Sequence, residues 1–90
     1  MDDRAIATVQ ARLMRTTISN TGLSVHHLWA AYVHLGGEIA ELEIDAYLHH
    51  ALHLPPHHRD TLVQATNQLV PRARIPYSRD LHPETHPPQA

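Results

Sequence analysis

The chain has 90 residues, a formal net charge of −2 from seven basic and nine acidic side chains, ten histidines, and no cysteine or phenylalanine. That length holds one small domain with no room for a second core, and the lack of cysteine excludes disulfides and thiolate metal sites. The negative balance argues against a nucleic-acid binder, whose affinity comes largely from neutralising phosphates. No run approaches the roughly 20 apolar residues that span a bilayer.

The chain opens Met1-Asp2-Asp3 with no apolar run behind it, which does not read as a secretory signal and leaves the cytoplasm as the default. A first helix is expected over about 4–17, with Asp2 and Asp3 favouring its positive end. Ile6, Val9 and Leu13 give its apolar stripe, with Met14 and Ile18 beside it, and Arg4, Gln10, Arg12 and Arg15 on the opposite side. Ser19-Asn20-Thr21-Gly22 is turn chemistry. A second helix is expected over 24–36. Ser24 is its N-cap, Val25, Leu28, Trp29, Tyr32 and Leu35 form its apolar face, and Gly36-Gly37 stops it.

A third helix, over about 40–53, starts in the acidic block Glu38, Glu41, Glu43 and Asp45 and repeats Ile44, Tyr47, Leu48, Ala51 and Leu52 at helical spacing. Leu54-Pro55-Pro56 breaks it, since the residue before a proline avoids the α region. Pro56 can open a fourth helix, over 56–70, with Leu62, Ala65 and Leu69 as the buried stripe. Five of the seven prolines fall in the last twenty residues. The segment 72–90 therefore reads as an extended proline-rich tail, disordered from about 82, in which Ile75-Pro76-Tyr77 can lie across the bundle as a strap. Nothing alternates with a strand's period of two. The expected fold is all-α, a compact antiparallel bundle of about four short helices.

Histidine is the commonest metal ligand and the side chain that changes charge near neutrality. On the third helix, Glu41, Asp45, His49 and His53 recur every four residues and form one polar ribbon. His49 and His53 could both hold one zinc ion, with Asp45 or a histidine of the fourth helix completing the site. Against this, no H-E-x-x-H arrangement fixes further ligands, and the plainer alternative is a solvated ribbon of acids supporting histidines. Together the histidines also raise the possibility of sensitivity to mild acid.

Catalytic chemistry is poorly represented. Ser19, Ser24 and Ser78 occupy loop, cap and tail positions without a nucleophile elbow, and Gly36-Gly37 is too short for a phosphate loop. Trp29 and Tyr32 are either core residues or exposed anchors of a contact surface. A helix-turn-helix reading of the last two helices would use Arg59, with Arg72, Arg74 and Arg79 as a basic arm, but one arginine opposed by Asp60 is a thin recognition helix.

Trp29-x-x-Tyr32, Gly36-Gly37, Glu43-Ile44-Asp45-Ala46-Tyr47-Leu48-His49, Leu54-Pro55 and Arg59-Asp60 together resemble a group of small stand-alone helical proteins of high-GC actinobacteria. The resemblance spans about 4–81 and implies a compact helical protein. It assigns no site residue. The expectation from the residues is a non-enzymatic interaction or regulatory module with a protein partner or a second copy of itself. Ile6, Val9 and Leu13 are the first candidates for a homodimer face. A DNA-binding regulator and a zinc protein stand as alternatives.

Overall fold

A computed structural model describes residues 1–81. Among them the chain forms α1 (Asp3–Thr21), α2 (Val25–His34), α3 (Glu41–Leu48), α4 (Pro56–Leu69), a single 3₁₀ turn (Pro71–Ala73) and a short α5 (Ser78–Leu81), with no strand. No described helix is long and apolar enough to cross a membrane.

Asp2 caps α1, its Oδ1 accepting from the Ala5 N–H at 2.8 Å. The helix continues through Ser19-Asn20-Thr21, expected as a turn, and two of its threonines bond their hydroxyls to the preceding helical turn. Thr17 donates to the Leu13 carbonyl at 2.9 Å and Thr21 to the Thr17 carbonyl at 2.7 Å. Gly22, at φ 74°, then closes it in the left-handed conformation. Ser24 begins α2 with a capping box in which histidine takes the place usual for glutamate or glutamine. The Ser24 Oγ accepts from the His27 N–H at 3.2 Å, and the His27 Nδ1 accepts from the Ser24 N–H at 3.1 Å.

The α2–α3 loop is built around Tyr32. Its ring is fully buried, and its hydroxyl accepts from the N–H groups of Glu38 at 3.2 Å and Ile39 at 3.1 Å. Gly37 lies flat on that ring, and any Cβ there would run into it. Gly36 supplies the left-handed turn at φ 93°.

The third helix is shorter than its apolar spacing predicts. It ends at Leu48, with His49 as cap and His50 at φ 64°. The His50 N–H donates to Tyr47 O at 3.0 Å and the Ala51 N–H to Ala46 O at 2.8 Å. That pairing is a Schellman closure, normally made by glycine at the left-handed position. Arg15 reaches across from α1 to the Leu48 carbonyl at 3.1 Å, a cation on the negative end of α3. Ala51 and Leu52 are consequently exposed rather than part of the buried stripe.

The core joins Ala7, Ala11 and Met14 of α1 to Leu28 and Tyr32 of α2, Ile44, Tyr47 and Leu48 of α3, and Leu62, Val63 and Ala65 of α4. Leu69, expected inside, is 40% exposed, and Val70 takes its place. The segment after α4, expected to be extended, instead contains the 3₁₀ turn and α5, and between them Ile75-Pro76-Tyr77 folds back on the bundle. Ile75 is buried, and the Asn67 side chain holds its backbone on both sides, Nδ2 donating to Ile75 O at 3.0 Å and Oδ1 accepting from Ile75 N–H at 2.9 Å. The expectation of disorder from about 82 lies outside the described residues.

Candidate functional site

Arg59, proposed from sequence as a phosphate-reaching residue, is completely buried. It projects from the first turns of α4 into a polar seam between α1 and the strap. All five of its N–H groups are used. Nε donates to Gln10 Oε1 at 2.7 Å; Nη1 donates to Asp3 Oδ2 at 3.0 Å and to Leu54 O at 2.7 Å; Nη2 donates to Asp3 Oδ1 at 2.6 Å and to Ser78 Oγ at 3.2 Å. Gln10, expected on the solvent side of α1, is buried beside it and donates to Asp60 Oδ1 at 3.3 Å and Pro76 O at 3.2 Å. Asp60 also accepts from the N–H and hydroxyl of Ser78, both at 2.8 Å. Among the described residues no buried side-chain polar atom lacks a partner, so this seam meets the condition for polar groups inside a protein. It is structural, and it removes Arg59 from any helix-turn-helix contact with DNA.

Tyr47 borders the seam, its hydroxyl donating to Ala7 O at 2.8 Å. Burial pushes this hydroxyl well above the ordinary tyrosine range; Asp3 and Asp60 push the same way and Arg59 opposes them.

The polar ribbon expected on α3 is not formed, because the helix stops before His53. His49 turns back on its own helix, with Nδ1 2.9 Å from Asp45 O and 3.5 Å from Asp45 Oδ1. His53 instead faces α1, its Nε2 3.3 Å from Asp3 Oδ2. Asp45, His49 and His53 are therefore not one ligand set, and no group of three metal-ligating side chains occurs among the described residues.

The self-association stripe on α1 also needs correction. Ile6 is fully buried, and Leu13 packs against the core while Val9 is half-buried. The buried face of α1 is Ile6, Ala7, Gln10, Ala11 and Met14, rotated by about one residue from the expected stripe. Tyr32 is core. Trp29 is half-buried, with its indole N–H on Ile39 O at 3.2 Å. Arg72, Arg74 and Arg79 are exposed on the strap.

Two surface features remain. The first is an apolar, acid-rimmed face on α2 and α3. Leu42 is 79% exposed, beside a shallow groove of about 460 Å³ lined by Val25, Glu41, Leu42 and Asp45. Val33 is also exposed, and His26 joins α2 to α3 through Glu41 at 2.8 Å. The second is a cleft of about 350 Å³ between α1 and the turn after α3, lined by Arg4, Ala7, Thr8, Tyr47, His50, Ala51, Leu52 and His53. Sequence reasoning missed both. The advance signal for the first was Leu42, an apolar residue standing among acids; for the second, only His53 had been singled out, and for a different site.

No protein family, curated protein or solved structure matches this chain.

Proposed function

We propose that this chain is a non-catalytic interaction module that binds a second copy of itself through two unlike patches. The Leu42 face of one copy receives the end of α4 from another. The observation that carries this reading is Leu42, a large apolar side chain 79% exposed on an eight-residue helix, with Glu41 and Asp45 lining the groove beside it. Fully burying a leucine stabilises an interface by about 1.5–3 kcal/mol.

The complementary patch lies on the same molecule. Leu69 is 40% exposed at the C-terminal end of α4, and the exposed Arg72 and Arg74 follow within five residues. An apolar centre with an acidic rim thus has a counterpart with a basic rim. Rim charges of opposite sign steer encounter and set register more than they add affinity. A contact between unlike patches makes a dimer where the two patches can pair reciprocally, and a ring or chain where they cannot.

Sedimentation velocity over a concentration series tests the reading. The wild-type chain associates reversibly, more strongly at low salt, because exposed charges are screened over about 10 Å at 0.1 M. Leu42→Asp sediments as a monomer with unchanged helical content. Wild type that stays monomeric throughout, or Leu42→Asp that associates as wild type does, refutes it.

A further inference from the structure

The cleft between α1 and the turn after α3 has a chemistry unlike the rest of the surface. Arg4 stands on its rim, one helical turn from Thr8 on the same face of α1. His50 and His53 face it from the turn, and no acidic side chain lines it. The nearest carboxylate in the contact network is Asp3, which touches His53, and both its oxygens are bonded by Arg59. Among the described residues neither the Arg4 guanidinium nor the His50 ring makes an ion pair or a hydrogen bond, while the Arg4 carbonyl accepts from the Thr8 hydroxyl at 3.0 Å. Its lining is mixed. Ala7, Ala51 and Leu52 supply the apolar part, and Tyr47 is buried beneath it with its hydroxyl committed to Ala7 O.

His50 provides a second, independent observation. Its backbone holds the left-handed position that closes α3, at φ 64°. Glycine occupies that position without steric cost, and an L-residue does not. An imidazole there is a local cost to the fold, and it places the ring on the cleft.

We infer that this cleft binds a small molecule carrying an oxyanion and a compact apolar body, a carboxylate or phosphate monoester for example. The anion is held by Arg4, His50 and His53, and the apolar part lies against Ala51 and Leu52. The volume, about 350 Å³, falls at the lower end for small-molecule sites. The other charged or titratable groups bordering the site are Asp3 and Arg4 of α1, Arg59 of α4 behind Asp3, and Tyr47 of α3. This inference does not depend on self-association, and its residues lie outside both proposed contact patches.

The probes are sulfate and benzenesulfonate, followed by amide and imidazole NMR shifts. Benzenesulfonate is expected to bind about tenfold more tightly than sulfate because it buries its ring. Its shifts should centre on Thr8 and on 50–53. Arg4→Gln lowers that affinity about tenfold. His50→Gly lowers it similarly while keeping or raising the melting temperature, which separates loss of the site from loss of the fold. His57→Gln with His58→Gln leaves it unchanged. Equal binding of the two probes, wild-type affinity in both Arg4→Gln and His50→Gly, or an equal loss in the His57/His58 variant overturns the inference.

Discussion

Arg59 shows how a charged side chain can belong to the core when every N–H has an acceptor. Burying a guanidinium is costly, and the cost is offset only by complete pairing. Removing one partner therefore does more harm than its single bond implies. Asp3→Asn strips the carboxylate from a fully buried arginine that it binds at 2.6 and 3.0 Å. The expected loss is about 3 kcal/mol in urea unfolding, at the low end for a broken buried pair, because the Asp3 side chain is 36% exposed and water can replace part of it. A loss below about 0.5 kcal/mol, typical of a surface pair, would show that the seam is not dry.

Tyr47 gives a second residue-level test. Its hydroxyl titrates above the ordinary range in the fold, so the fold favours the neutral form. The associated stability is fully present below about pH 10, the unfolded value, and is lost as pH rises beyond it. The chain has no lysine or cysteine, which leaves the tyrosines as the side chains titrating there. Tyr47→Phe is expected to lose about 1 kcal/mol at neutral pH through its bond to Ala7 O, and to lose less than wild type above pH 10. Parallel pH profiles for the two would contradict this. The polar seam itself was partly legible in the sequence. Asp3, Ala7, Gln10 and Met14 share helical spacing, as do Arg59, Leu62, Val63 and Thr66. Polarity alone had assigned Gln10 and Arg59 to solvent.

At the scale of elements, boundaries marked by ordinary cap and turn residues were readable and those made by unusual residues were not. Asp2, Ser24, Gly36 and Pro56 act as their chemistry predicts. The end of α3 was hidden because histidine, not glycine, takes the left-handed cap. That one residue dissolved the expected ribbon of Asp45, His49 and His53 and opened the cleft instead. The α2–α3 loop depends on a close approach rather than on a turn conformation. Gly37→Ala forces a methyl into the Tyr32 ring, and overpacking of this kind costs about 1–3 kcal/mol. The melting temperature should fall accordingly, whereas an unchanged value would mean the loop moves off Tyr32 freely.

At the scale of the molecule, a core assembled from four short helices and a strap leaves two apolar residues, Leu42 and Leu69, outside it with rims of opposite charge. The sequence displayed the charge segregation, and the general case for self-association followed from it. The face did not. Ile6, Val9 and Leu13 looked like a free stripe only because the register of α1 against the core is set by long-range packing, which periodicity alone does not specify. The most direct measurement is a charge-exchange mixing experiment by sedimentation velocity. One variant carries Glu41→Arg and Asp45→Arg on the groove, the other Arg72→Glu and Arg74→Asp at the end of α4. Each alone is predicted to be monomeric, because its two patches now carry the same sign, and the mixture is predicted to associate. A mixture that sediments as monomers, while wild type associates under the same conditions, would contradict pairing between these patches.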